Sequence, residues 1–159
     1  MQTDSIEIRK MAYKEIDTAF ILIWNVFQEF VAPDYSQEGI DSFYNGFIRG
    51  DGFRTKFAEG KETMFGAFTG GRLTGVLSLS VNNTVSCLFV DGNYHRKGIG
   101  RKLFHTVIRE LRARGAAELT LNASPYAMPF YHAMGFCDMG EMASYKGIIY
   151  TPMKLILRP

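Results

Sequence analysis

Polar and apolar residues alternate at the start of the chain, where Ile6 and Ile8 flank Glu7 and precede Arg9, a period of two that predicts a short half-buried strand. The period then changes. From Ile16 onward, Phe20, Ile23, Trp24, Phe27, Phe30 and Val31 recur at steps of three and four, which predicts an amphipathic helix that Pro33 stops. Ser36 is placed to cap a second helix through Ile40, Phe43, Tyr44 and Phe47. The stretch from Gly50 to Lys61 opens on Gly-Asp-Gly-Phe and is rich in charge, and it reads as loop.

Three apolar runs follow. Met64 to Phe68, Leu73 to Val81 and Thr84 to Val90 are separated by Gly70-Gly71 and by Asn82-Asn83, residue pairs that accept the positive φ angles of tight hairpins. They predict three antiparallel strands. A helix then starts near Gly98, buries Ile99, Leu103, Phe104, Val107, Ile108 and Leu111, turns Arg101, Lys102, Arg109 and Arg112 outward, and ends at Gly115. Ala117 to Ala123 returns as a strand, so Thr84 to Ala123 has the form of a right-handed crossover with two parallel strands. The tail predicts a short helix at Pro125 to Met134 and two strands at about Cys137 to Ser144 and Ile148 to Leu157.

Composition narrows the class. A chain of 159 residues with 47% hydrophobic and 14% aromatic content reads as one domain, residues 1–159, with a substantial core. A formal net charge of +2, with Lys and Arg spread throughout, speaks against a dedicated nucleic-acid binder, so any anion site has to be local. Cys87 and Cys137 lie in apolar, strand-like segments without CxxC spacing and are expected to be buried free thiols of a reducing cytoplasm. His95, His105 and His132 show no ligand spacing, and no metal is expected. The N-terminal residues lack the features of a signal peptide and no window is apolar enough to span a bilayer, so a cytoplasmic protein without membrane contact is expected.

The local anion site is easy to nominate. In the string HRKGIG, residues 95–100, Gly98 and Gly100 stand at the turn from a strand into a helix, among Arg96, Lys97 and Arg101. Free N–H groups and the positive end of the helix dipole favour an anion there, and glycine lets it approach the backbone. A Walker A loop and a dinucleotide fingerprint both fail, because no Lys-Ser or Lys-Thr follows and no third glycine appears. On the Gly-x-Gly spacing alone, a plain strand-to-helix connection with solvated cations is the preferred reading.

A second motif reverses that preference. LFVDGNYHRKGIGRKLF and LTLNASPYAMPFYHAMGF, which together span Leu88 to Phe136, resemble the cofactor half of the GNAT superfamily of N-acetyltransferases. His95 stands where that family has Gln or Arg. The resemblance implies a mixed, mostly antiparallel sheet of about seven strands, with the fourth and fifth parallel and splayed, flanked by about four helices. It also implies acetyl-CoA as co-substrate. The pyrophosphate would sit on the turn made by His95, Arg96, Lys97, Gly98, Ile99, Gly100 and Arg101. The pantetheine arm would pair with the backbone of Leu88, Phe89 and Val90 and with Asn122.

The same resemblance makes Tyr131 the acid for the departing thiolate and a backbone N–H near Val90 the oxyanion donor. As an isolated residue, Tyr131 would more readily be a core aromatic. Attack needs a neutral amine, and Glu29 at the end of the first helix is the candidate base, although a solvated helix-end carboxylate is the plainer reading; Asp34 and Glu38 are poorer choices. The expected reaction is acetyl transfer to a primary amine of a small molecule or peptide, by direct attack in a ternary complex. A non-catalytic acyl-CoA-binding module is the alternative, and an RNA-binding accessory domain is the weaker third. A homodimer through the late strands also belongs to this set of expectations.

Overall fold

The computed structural model describes residues 5–158. One mixed sheet of eight strands organises them: β1 (Ile6–Lys10), β2 (Glu62–Thr69), β3 (Arg72–Ser80), β4 (Thr84–Val90), β5 (Glu118–Ala123), β6 (Cys137–Asp138), β7 (Ala143–Tyr145) and β8 (Ile148–Ile156). The order is β1-β2-β3-β4-β5-β8-β6, with β7 paired to β8. All neighbours are antiparallel except β4 and β5. The predicted hairpins hold: Gly70 and Gly71 both take positive φ between β2 and β3, as the right-handed twist of the flanking strands requires.

Five α-helices pack on the sheet: α1 (Ile16–Val26), α2 (Gln37–Phe43), α3 (Asp51–Ala58), α4 (Ile99–Ala113) and α5 (Met128–Ala133). α4 buries the six residues its periodicity selected, Ile99, Leu103, Phe104, Val107, Ile108 and Leu111, against one face of the sheet. On the other face, Ile16, Ala19, Phe20 and Ile23 of α1 pack on Met64, Val76 and Cys87. Ser36 caps α2 by accepting the N–H of Gly39 at 3.3 Å. Both α1 and α2 run on into wider, π-helical turns, Phe27–Val31 and Tyr44–Ile48.

Three local expectations are corrected. Residues 51–58 form α3, where the sequence read loop, because Phe53 is buried edge-on against Phe20 at 6.0 Å and stacks near Phe47 at 4.1 Å; tertiary packing outweighs the weak helix preference of Gly52. The strand predicted near Cys137 to Ser144 is broken into β6 and β7 around Gly140, so that only Cys137–Asp138 and Ala143–Tyr145 pair with β8. Cys137 is exposed rather than buried, since β6 is the outermost strand on its side of the sheet.

Two features shape the space below. β4 and β5 pair only at Thr84 with Thr120 and Val85 with Leu121, then part, so the edges of both strands from Ser86 and Asn122 onward face an open wedge. The β7–β8 hairpin turns through Lys146 and Gly147, both at positive φ, and its tip docks on α2. Ser42 donates to the carbonyl of Lys146 at 2.7 Å, and a Cβ at Gly39 would fall on the carbonyl oxygen of Gly147, so only glycine allows this backbone-to-backbone approach.

Candidate active site

The wedge between β4 and β5 opens into a cleft of about 930 Å³ that runs from the first turn of α4 to the tip of the β7–β8 hairpin. At one end, Gly98 precedes α4 in the left-handed conformation (φ 78°), which favours glycine. No side chain caps this helix and no acidic residue occupies its first turn. Its first N–H groups therefore lack intrahelical partners and carry the positive end of the dipole of a 15-residue helix. Gly100 is small for a different reason: a Cβ there would stand 3.1 Å from Phe130, whose ring covers the turn. Arg96 and Arg101 line this end of the cleft, whereas Lys97 sits over the ring of Tyr94, 5.3 Å from its centroid.

His95 has a structural task that its sequence position did not reveal. Its Nε2 lies 2.7 Å from the carbonyl oxygen of Val90, and because a carbonyl only accepts, Nε2 carries the proton. Its ring also lies 4.6 Å from that of Phe30. The imidazole thus ties the turn to the end of β4 and to the segment after α1.

Leu88, Phe89, Val90, His95, Arg96, Gly98, Ile99, Gly100, Arg101, Asn122 and Tyr131, all nominated from the sequence, line this one cleft. Tyr131 is buried on α5, its ring held by Phe104, Phe130 and Phe136 at 5.6–5.8 Å. Burial pushes its phenol well above the ordinary value, so the hydroxyl stays protonated at every physiological pH. Glu29 is exposed and is not among the lining residues; its carboxylate passes near Gly92 instead. Cys87 also lines the cleft, but burial raises its thiol far above the usual range, which leaves little thiolate for nucleophilic chemistry.

The sequence reading passed over a buried carboxyl group that reaches the edge of the cleft through one hydroxyl. Glu62, on β2, is 6% exposed and accepts hydrogen bonds from Ser78 at 2.7 Å and from Ser86 at 2.5 Å. Ser86 is the first β4 residue beyond the pairing with β5, and it lines the cleft at the apex of the wedge. The strand bulges here, its partner register slipping between Ser78 and Leu79, which turns Ser86 toward β2's carboxylate. A Glu opening a strand gave no local signal for this, because both serines come from neighbouring strands.

The far end of the cleft is aromatic. Phe27, Phe43 and Phe47 form a stacked row, with ring centroids 3.9 Å and 5.1 Å apart, and Tyr35 meets Phe27 edge-on while donating to the carbonyl of Ile149 at 3.1 Å. Tyr145 and Tyr150 complete this wall from the hairpin. Phe20 and Trp24, from the same helical row, stand outside it. Among the described residues, no group of His, Cys, Asp and Glu side chains is arranged to hold a metal ion, and no helix is long and apolar enough to cross a membrane.

This architecture has many counterparts. A GCN5-related N-acetyltransferase from Rhodopseudomonas palustris superposes with a TM-score of 0.80 over 97% of each chain at 22% identity. The PaiA N-acetyltransferase from Thermoplasma acidophilum, solved with coenzyme A, gives 0.78 over 94% of this chain and 98% of its own, also at 22% identity. A GCN5-related N-acetyltransferase from Ralstonia eutropha gives 0.73 at 20% identity over 89% of this chain and 98% of its own. No curated protein matches the sequence. The family profile described as an acetyltransferase (GNAT) domain matches residues 31–157. With that match over most of its length, and with the splayed strands and uncapped helix of the cleft, the chain belongs to the GNAT acetyltransferases and is an acyltransferase.

Proposed function

We propose that this protein transfers the acetyl group of acetyl-CoA to a primary amine by direct attack in a ternary complex. One observation carries the reading: a single cleft joins an uncapped, cation-flanked helix N-terminus to two unpaired strand edges and then to the side chain of Tyr131. That order suits a long ligand with phosphates at one end, amides in the middle and a reactive group at the other. Arg96, Arg101 and the backbone from Gly98 to Arg101 would hold the pyrophosphate, with Lys97 adding outer positive charge. Leu88, Phe89, Val90 and Asn122 would pair with the amide-bearing arm.

When bound, acetyl-CoA supplies the thioester. The free edge of β4 between Ser86 and Val90 offers backbone N–H groups to the developing oxyanion. Tyr131 donates its hydroxyl hydrogen bond to the departing sulfur; an ordinary phenol is about 1.5 pK units weaker an acid than an ordinary thiol, so this is stabilisation of a thiolate before it is full proton transfer. For the base, Ser86 and Glu62 replace Glu29 as the better-supported choice. As the C–N bond forms and the C–S bond breaks, the amine proton passes to Ser86 Oγ while the Ser86 proton passes to Glu62 Oε1. Glu29 keeps at most a role at the cleft mouth.

Thiol release from acetyl-CoA, measured against a broad amine panel, tests the reaction; no amine-dependent release at millimolar acceptor would end it. Cofactor recognition is tested separately. CoA, acetyl-CoA and desulfo-CoA should all raise the melting temperature, by an increment that grows as RT ln(1 + [L]/Kd). The late-strand homodimer also stands as a proposal, with exposed Met139, Met142 and Ile156 as the apolar side chains it would cover, and sedimentation velocity decides it.

A further inference from the structure

We infer that the acceptor is an aralkyl monoamine: one primary amine on an apolar body of aromatic size. The inference rests on the acetyl-transfer reading and names the class of molecule that the far end of the cleft takes.

The wall opposite β4 is built from the side chains of Phe27, Phe43, Phe47, Tyr35, Tyr145 and Tyr150. Rings of this kind accept another ring edge-on or offset, and Phe43 and Phe47, stacked on their neighbours, stay half-buried with their free edges available to the cleft they line. The charge pattern is equally selective. The charged side chains that line the cleft are cationic and belong to the turn end, Arg96 and Arg101; no Asp or Glu lines it among the described residues. Glu62 reaches the cleft only through the Ser86 hydroxyl, at the apex where attack takes place.

That leaves one acidic connection for one amine. An ammonium group moving against an aromatic wall loses part of its hydration, which lowers its pKa and helps it become the neutral nucleophile. A diamine or polyamine would carry further ammonium groups along the same wall, where no carboxylate lines the cleft and the neighbouring Glu38 and Asp41 belong to a separate depression behind Phe43 and Phe47, and an unpaired charge is disfavoured there. A peptide N-terminus would bring backbone amides needing partners, and among the side chains of this wall only the hydroxyls of Tyr35, Tyr145 and Tyr150 are polar, Tyr35 already donating to the carbonyl of Ile149. Cation–π attraction to the rings favours the first ammonium without substituting for the counter-ions of the others.

The experiment compares kcat/KM for phenethylamine, spermidine and an alanine-initiated tetrapeptide with acetyl-CoA saturating. Phenethylamine should exceed each of the others by about tenfold or more, the ratio that corresponds to about 1.4 kcal/mol. Equal or better turnover of spermidine or the peptide overturns the acceptor class while leaving acetyl transfer intact. If CoA raises the melting temperature and phenethylamine is not acetylated, the acceptor class fails, and amine-dependent thiol release from the broad panel then decides whether acetyl transfer itself stands. Tyr145→Glu places a carboxylate on the wall at a position 62% exposed, where the fold is safe. It should shift the spermidine-to-phenethylamine ratio upward by about 3-fold or more, and an unchanged ratio overturns the claim that missing carboxylates set the preference.

Discussion

The two ends of the cleft are built by opposite means. At the α4 end the ligand-facing groups are mainly backbone: free N–H groups of one regular 15-residue helix and the unpaired edges of two strands. At the other end they are side chains, gathered from α1, α2 and the β7–β8 hairpin. There both helices end in π turns, Phe27–Val31 and Tyr44–Ile48, which carry Phe27, Phe30, Val31 and Phe47 into the cleft. Such turns insert a residue into the helical repeat and rotate the side chains that follow, and they recur at functional sites. A surface made of backbone keeps its chemistry when side chains change. A surface made of side chains changes with each one, so on the proposed reading the α4 end would specify a class of ligand and the aromatic end would select an individual.

The largest effect is expected where the two ends meet. Tyr131→Phe keeps the ring packed among Phe104, Phe130 and Phe136 and removes only the hydroxyl, so kcat should fall by about 10² to 10⁴ while acetyl-CoA affinity is nearly retained. Single-turnover rates with a confirmed acceptor are the measure, since product release can mask the chemical step. A native chemical rate would make Tyr131 structural.

Ser86→Ala sharpens the division, because it cuts the hydroxyl between cleft and carboxyl group yet leaves Glu62 bonded to Ser78. A fall of about 10²-fold in kcat/KM for the amine is expected. Glu62→Gln should share that loss, with acetyl-CoA affinity retained in both variants. A merely structural role would lower the melting temperature and leave kcat/KM for the amine unchanged.

A smaller, directional pair tests whether the ends are separable. Gly100→Asp sets a side chain against Phe130 and a negative charge at the helix N-terminus, and should weaken acetyl-CoA about tenfold or more with little change in KM for the amine. Gly39→Ala pushes the hairpin tip off α2 and should do the reverse. If both variants raise both constants, the comparison between the ends collapses.

The smallest effect lies outside the cleft. Arg9 donates two hydrogen bonds to Glu15, at 3.0 Å and 2.8 Å, and with the N–H of Ala12 it holds that carboxyl down to about 2. A depressed folded-state value adds stability that is present above the ordinary 4.5 and is lost as pH falls toward about 2. The melting-temperature gap between the native protein and Glu15→Gln should therefore be small at neutral pH and close on acidification. A gap independent of pH would assign it to packing.

The sequence alone determined several local elements of this protein: the hairpins at Gly70-Gly71 and Asn82-Asn83, the buried face of α4 and the Gly98 turn. Each is encoded within a few residues, by periodicity, by a required φ or by a helix start, and short-range rules read such signals directly. Tertiary structure alone decided the rest. α3 is a helix because Phe53 finds Phe20 and Phe47, Glu62 is linked to the cleft because Ser78 and Ser86 flank it across two strands, and Glu29, on the π turn after α1, is left outside the cleft lining. The aromatic wall likewise needs residues 27, 43 and 145 in one place. Such contacts join positions far apart in the chain, and their energy comes from burial and hydrogen bonding between elements, which no local pattern of residues records.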